Sequence, residues 1–431
     1  MTWQPDVETI DRADLEQLQL ERLEATLNRV ARHVPFYRRR FEESGFDPDT
    51  LRSLADLRRL PFTTKQDFRD AHPYGLFAVP LRDVVRIHAS SGTTGMATAV
   101  GYTRNDLKHW ADLVARVLVA AGVGKDDVVQ VAFDYGLFTG AFGFHHGAER
   151  LGASVIPVSG AAPHRQIQIL RDYRSTALVT TPSHALTLAD ALVESGVDRA
   201  SLSLRWGLFG AEPWSESMRA ELQAKLKLVA TDNYGLSEVG GPGLAGECLD
   251  RQGLHVAEDH FLLEVVDPET LEPLPEGRVG ELVITTLTRE ALPVVRFRTR
   301  DLTSIVTGRC ACGRTLARMG RVKGRTDDLL IVKGARAFPS EIEAVLFEVE
   351  GTAPHYQIAL ERRGGQDEAT VLVEADEALA GRGQARADLQ AAIQRRLAAE
   401  LGVAVEVRVV DPRSIVRSAG KARRVLDARK G

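Results

Sequence analysis

Three groups of residues in this chain have the types and spacing to do chemistry. The first is the run Ser90-Ser91-Gly92-Thr93-Thr94-Gly95, set between His88 and Thr103. Glycines let a backbone curl until several N–H groups point at one anion, and Ser/Thr hydroxyls add donors without bulk, so the run suits a phosphate. It has neither the Gly-x4-Gly-Lys of a Walker A loop nor the Gly-x-Gly-x-x-Gly of a dinucleotide fold. Taken alone, it reads equally well as an ordinary flexible loop. The second group is Cys248, Cys310 and Cys312 with His255, seven residues after the first cysteine. These supply four ligands for tetrahedral zinc, with Gly313 allowing the tight turn and His260 as a spare candidate. A four-ligand set is closed, which makes it a staple between loops; the alternative is three buried thiols with a histidine nearby. The third group, Tyr135, Phe138, Gly140 and Phe142, combines rings with glycine at a strand end and suits a flat ring in a slot. Plain core packing explains such aromatics equally well.

The elements that must carry these groups follow from pattern. A chain of 431 residues exceeds one ordinary core, so at least two domains are expected. Over 104–205, helices at 104–121, 142–151, 165–173 and 183–194 alternate with strands at 128–133, 153–157 and 177–180, the signature of a largely parallel sheet covered on both faces. Ligands of such sheets sit beyond the carboxyl ends of the strands. A helical tract over 13–44 breaks at Pro35, and a capping threonine precedes a short helix near Lys65. Short strands separated by turns suggest a β subdomain at about 245–320. A compact α+β pattern closes the chain, giving an expected division into 1–326 and 327–431.

Composition narrows the partners. Hydrophobic residues make up 44% and charged residues 26%, and a net charge of -4 from well-mixed signs gives no electrostatic case for nucleic acid or a membrane surface. The N-terminal residues have neither a basic nor an apolar signal region, and the most apolar stretch, 128–145, is interrupted by Gln130, Asp134 and glycines. Three clustered cysteines do not make a disulfide framework, so a cytoplasmic protein is expected.

His-Ala-Ser-Ser-Gly-Thr-Thr-Gly followed by Gly101-Tyr102-Thr103 resembles the ATP-phosphate loop of phenylacetate–CoA ligases, in the adenylate-forming superfamily. The resemblance extends along the chain. Tyr234-Gly235-Leu236-Ser237-Glu238, preceded by Asn233, looks like the family segment whose glutamate holds Mg2+ between the phosphates, which implies that role for Glu238; a surface turn ending in Glu would look the same. Gly210-Ala211-Glu212-Pro213 is similar to the adenine-side segment, or else is simply a helix N-terminus. Asp301 matches the aspartate that pairs with both ribose hydroxyls, against the alternative of an Arg-Asp surface pair. Gly324-Arg325-Thr326-Asp327 looks like the hinge, with Arg325 reaching the ribose and Asp327 absorbing the rotation. Arg417-Ser418-Ala419-Gly420-Lys421 matches the segment whose lysine would meet the carboxylate and the α-phosphate; a solvated basic tail is the alternative. Some relatives of this kind carry a structural zinc at similar cysteines.

What the resemblance implies is an α/β enzyme of the adenylate-forming fold: a large N-terminal domain with parallel sheets and a β subdomain, and a small mobile α+β lid. Its substrates would be ATP with Mg2+, a small aromatic carboxylic acid (phenylacetate or a substituted benzoate) and coenzyme A, joined through acyl-AMP with loss of pyrophosphate. A homodimer is implied as well. Two departures stand out: Met96 occupies the place of a usual loop lysine, and Val416 that of a usual proline. The rival readings are an adenylating enzyme that hands its acyl group to an amine or a carrier-protein thiol, and a nucleotide-binding scaffold without catalysis.

Overall fold

The computed structural model describes residues 1–90, 97–332, 335–363, 366–416 and 424–429. Its centre is a nine-stranded sheet, parallel in one half and antiparallel in the other. Ser154–Pro157, Val128–Val131, Ala177–Thr180, Trp206–Gly210 and Val229–Leu236 run parallel. Gly241–Glu247 then turns back antiparallel, followed by Leu254–Val256, Arg318–Met319 and Ile305–Val306. The parallel half is as the alternating pattern expects. Ala177–Thr180 is buried throughout and its residues are apolar or small, which suits a strand covered on both faces.

The helices that cover this sheet are fixed by their caps. Thr103 and Asp106 form a reciprocal capping box at the start of Arg104–Ala120, with Asp106 N–H donating to Thr103 Oγ1 at 3.0 Å. Leu113, Val114, Val117 and Leu118 on that helix face the core. Each such fully buried leucine or valine contributes roughly 1.5–3 kcal/mol. The N-terminal tract forms two helices, Arg12–His33 and Pro35–Ser44, divided at Pro35. Thr64 caps Lys65–Asp70 with Asp67 as its reciprocal partner. The acyl-region helix starts earlier than the pattern indicates: it spans Gly140–Leu151, because Gly140 needs no side chain where a Cβ would stand 2.9 Å from the Phe138 ring.

A separate four-stranded antiparallel sheet contains Phe261–Val266, Gly280–Thr286, Phe297–Thr303 and Gly324–Arg325. The segments within 245–320 therefore divide between the two sheets. Phe297–Thr303 and Ile305–Val306 are separated only by Ser304, and the second of them crosses to the nine-stranded sheet. From Leu330 onward a hairpin, the helices Pro339–Glu348 and Gly383–Leu401, and a sheet ordered Glu406–Val410, Gln366–Ala375, Thr352–Arg363, Val425–Asp427 enclose a core of their own. Phe347 packs against both this core and the one under the large sheet. Among the described residues, no helix is long and apolar enough to cross a membrane.

Candidate active site

The hairpin Arg86–Ala89 and Ala99–Tyr102 presents the Ser/Thr/Gly run at its tip, with Ala89 paired to Ala99. Ser90 closes the neck: its N–H donates to Thr98 O and its Oγ accepts from Thr98 N–H, both at 3.0 Å. Ser91, Gly92, Thr93, Thr94, Gly95 and Met96 lie outside the described residues, as does Lys421 with its flanking Arg417–Gly420 run.

The other candidate nucleotide segments leave the carboxyl ends of two neighbouring parallel strands. Gly210 pairs with Asn233, and Asn233 Nδ2 donates to Phe209 O at 2.8 Å. A Cβ on Gly210 would stand 2.5 Å from Asn233 O, so only glycine allows the strands this close. Ala211 then takes a φ of 70°, an uncommon conformation for a residue with a side chain, which turns the chain outward. Glu212 accepts from Ser183 N–H at 2.8 Å, at the first turn of Pro182–Glu194, where the helix dipole favours a carboxylate. Pro213 follows directly, beyond the strand end.

Tyr234, Asp301, Arg325 and Asp327 form one connected network. Tyr234 donates its hydroxyl to Asp301 Oδ2 at 2.5 Å, and Arg325 Nη1 donates to Asp301 Oδ1 at 2.9 Å. The same guanidinium grips Asp327 through Nε and Nη2 at 2.9 and 3.0 Å. Burial and the Asp301 carboxylate together hold the Tyr234 phenol well above its usual pKa. Asp327 is held below the usual carboxylate range: burial opposes this, and the Arg325 guanidinium outweighs it. Asp301 is 4% exposed, which removes the surface-pair reading, and Arg298 instead pairs with Glu281 at 2.6 Å. A bulge re-aims the strand here, with Arg300 at a φ of 71°. Gly235 admits no Cβ, since the backbone of Gly241 and Pro242 fills that space.

Glu238 sits in the single turn Ser237–Val239 and is 5% exposed, with Lys65 Nζ 4.0 Å from its Oε1. A buried carboxylate is the kind of oxygen donor a phosphate-bound Mg2+ uses, one carboxylate plus phosphate and water. Sequence reasoning quoted Lys65 without giving it a role; its place just after the Thr64 cap was the available signal. Thr139 Oγ1 meets Ser237 Oγ at 3.2 Å, tying the acyl-region helix to the Glu238 turn. Tyr135 and Phe142 meet edge to face at 5.2 Å, and Phe142 lies 5.4 Å from His88. Gly140 admits the Phe138 ring. The four acyl-region residues thus gather between the phosphate-loop hairpin and the Glu238 turn.

The cysteine group also converges. One ligand atom from each of Cys248, His255, Cys310 and Cys312 lies within 4.8 Å of the others. Cys248 Sγ is 3.8 Å from Cys310 Sγ, and His255 Nε2 is 3.4 Å from Cys312 Sγ. Gly313, at a φ of 95°, turns the Cys310–Cys312 loop back, and its N–H donates to Cys310 O at 2.9 Å. Burial, with Arg314 and Arg318 nearby, pushes His255 down to about 4, so the imidazole is neutral and its nitrogen is free to ligate. His260 is not part of the group; it turns to Asp259 at 3.2 Å and Thr288 at 2.6 Å. Arg314 donates to Cys312 Sγ at 3.5 Å and to Glu8 at 2.6 Å, which pins the N-terminal segment beside the cysteines.

The small C-terminal unit docks on the adenine-side segment through Glu343. Ser215 N–H donates to Glu343 Oε1 at 3.2 Å and Tyr356 OH to Oε2 at 3.0 Å, with Arg424 at 3.7 Å. Burial pushes Glu343 up to about 7; Arg424 and Tyr356 oppose this and Glu212 reinforces it. The docked state therefore binds a proton that a solvent-exposed glutamate would release. Docking is fully supported below the ordinary glutamate pKa and loses this contribution as pH rises to about 7. We expect the docking equilibrium to weaken by roughly 10- to 100-fold between about pH 5 and pH 8. Small-angle scattering across that range checks this, and Glu343→Gln should flatten the profile. An unchanged profile in that variant would remove the glutamate as its cause.

Comparison with known proteins agrees with this geometry. The model of the AMP-binding enzyme family matches residues 19–288, and that of the AMP-binding enzyme C-terminal domain matches 334–429. The phenylacetate-coenzyme A ligase of Thermus thermophilus is 48% identical over 100% of both chains. That of Escherichia coli is 48% identical over 98% of this chain and 97% of its own. A crystal structure of 2-hydroxyisobutyryl-CoA ligase in the postadenylation state, with 2-HIB-AMP, superposes with a TM-score of 0.93 at 31% identity, covering 99% of this chain and 92% of that one. The same enzyme in the thioesterification state, with 2-HIB-AMP and CoA, gives 0.73 at 32% identity, covering 100% and 93%. The relative placement of the two parts of this chain is thus nearer the postadenylation arrangement. The chain belongs to the AMP-binding enzyme family and, within it, to the phenylacetate–coenzyme A ligases.

Proposed function

We propose that this chain is an AMP-forming aryl acid–coenzyme A ligase. It joins an aromatic acid of the phenylacetate or substituted benzoate class to ATP, releases pyrophosphate, and passes the acyl group from acyl-AMP to coenzyme A. The observation that carries this reading is the buried Tyr234–Asp301–Arg325 network, next to Asn233 where its strand pairs with Gly210, in a chain 45–48% identical over nearly its whole length to four phenylacetate-coenzyme A ligases. An anionic carboxylate must attack a phosphorus already surrounded by negative oxygens, so positioned donors and cations govern the rate.

In this reading Ser90–Gly95 cradle the phosphates, Ala211, Glu212 and Pro213 flank the adenine, and Asp301 accepts from the ribose hydroxyls with Arg325 beside it. Glu238 would hold Mg2+, which when bound screens the phosphate oxygens. Lys65, beside Glu238, adds a positive charge that the Met96 side chain does not supply. Lys421 donates to the carboxylate and the α-phosphate, and Asp327 is the hinge of a small domain beginning at 327. The acid lies among Tyr135, Phe138, Gly140 and Phe142. Cys248, His255, Cys310 and Cys312 hold a structural zinc; three cysteine sulfurs and a neutral imidazole are the donor set such an ion takes. A cytoplasmic homodimer completes the proposal, and three free cysteines suit a reducing compartment.

The test is acid-dependent pyrophosphate release with ATP-Mg across a panel of aryl acids, each with and without coenzyme A. Release with accumulating aryl-CoA is the expected result. Release without thioester would transfer the chain to an amine or carrier-protein acceptor, and silence across the panel would leave only a nucleotide-binding scaffold.

A further inference from the structure

The helix Gly140–Leu151 carries a second set of side chains able to hold a metal. His145, His146 and Glu149 each offer a ligand atom within 4.8 Å of the others. His145 Nε2 lies 3.2 Å from Glu149 Oε1, and His146 Nδ1 lies 3.1 Å from Oε2. Spacings of four and three residues put the carboxylate over both rings on one helix face. The two imidazoles are partly covered, at 23% and 30% side-chain exposure, and Glu149 is open at 56%. The arrangement is therefore walled by protein on one side and open to water on the other.

We propose that His145, His146 and Glu149 form a binding site for a divalent transition-metal ion such as Zn2+ or Ni2+, with water in the remaining positions. Two imidazole nitrogens and one carboxylate oxygen are the donors such ions prefer over Mg2+ or Ca2+. The observed separations are close to the edge of a tetrahedron built on bonds of roughly 2.0–2.1 Å, about 3.3 Å. A metal-bound imidazole normally has its other nitrogen held by a polar partner, which fixes ring and tautomer. Here Tyr135 OH stands 3.1 Å from His145 Nδ1, and burial keeps that phenol protonated. With Nε2 turned to an ion, Nδ1–H donates to the Tyr135 oxygen. The His146 ring is braced in turn by stacking on Phe142 at 6.1 Å, and Glu149 supplies negative charge on a side where Arg86 stands 5.2 Å over the same phenyl ring.

This site has a consequence for the acyl region. Tyr135 and Phe142, which we assign to the acid pocket, are the residues that His145 and His146 touch. An ion bound there stiffens the pocket wall, so it should alter KM for the acid more than kcat. That consequence rests on the pocket assignment in the proposed function; the binding of the ion does not.

The experiment uses the untagged full chain, holding whatever zinc it purifies with, titrated calorimetrically with Ni2+ alone. One Ni2+ per chain is expected, without the near-ultraviolet charge-transfer band that nickel shows at thiolates. His146→Phe, which keeps a ring on Phe142, and Glu149→Gln should each weaken binding at least tenfold with an unchanged melting temperature. With Cu2+ as the probe, electron paramagnetic resonance should show splitting from two imidazole nitrogens in the parent and one in His146→Phe. Absence of a stoichiometric site, a thiolate charge-transfer band accounting for all bound nickel, or equal affinity in both variants would overturn the proposal.

Discussion

Asp301→Ala is expected to lower kcat/KM for ATP by about 10³-fold, since a buried carboxylate that accepts two hydrogen bonds from a diol contributes roughly 1.5–3 kcal/mol for each. The residue is 4% exposed and stands where Tyr234 OH and Arg325 Nη1 meet. In the proposed reading truncation removes the acceptor for both ribose hydroxyls, and it leaves the Arg325 guanidinium with Asp327 and Asp328 as its anionic partners. Loss of fold could imitate loss of binding, so Asp301→Asn, which keeps the shape, belongs beside it with a melting curve for each. The diagnostic comparison is ATP against 2′,3′-dideoxy-ATP. The parent should strongly prefer ATP, while the alanine variant should treat the two alike. A variant that still discriminates as the parent does would place the ribose elsewhere.

Replacing one of the proposed zinc ligands should act on stability and leave the chemistry of the folded fraction intact. Cys310 is 3% exposed and lies 3.8 Å from Cys248 Sγ. Structural zinc sites contribute their binding free energy to folding, so Cys310→Ser is expected to cost at least about 5 kcal/mol and the metal with it. Elemental analysis should find about one zinc per chain in the parent and far less in the variant, with a matching fall in melting temperature. Prolonged chelation should reproduce the effect on the parent. Because the four ligands leave no open position, adenylation per folded molecule should be unaltered. A parent that purifies metal-free at full stability would reduce the cluster to packed thiols.

The parts of the fold visible in sequence are those set by local chemistry. Thr64 and Thr103 announce helix starts because each cap needs only its own residue and the one three positions on. The parallel strands show because each is short, apolar and bounded by turns. The cysteine group shows because residue type restricts its chemistry, and His255, preferred by its spacing from Cys248, is the histidine that joins it, while the spare His260 has Asp259 as its neighbour and partner. The long-range ion pairs were not legible. Arg116 meets Asp259 across 143 residues and Arg219 meets Glu247 across 28, both buried, and nothing local distinguishes these arginines from solvated ones. The same holds for Glu343, an ordinary helix glutamate until Ser215 covers it. The crossing of Ile305–Val306 to the large sheet was hidden because strand composition does not name a partner.

The anchoring of the N-terminal segment beside the cysteines bears on how the chain is made. Glu8 receives Arg314 Nε, its carbonyl accepts from Thr315 N–H, and Ile10 O accepts from Thr315 Oγ1. The Glu8–Arg314 contact spans 306 residues. At ribosomal rates of about 5–20 residues per second, Glu8 waits roughly 15–60 s for Arg314 to be synthesised. Docking of that segment against the cysteine loop is thus a late event of biogenesis, after its earlier contacts with Asp112 and Arg116 can form.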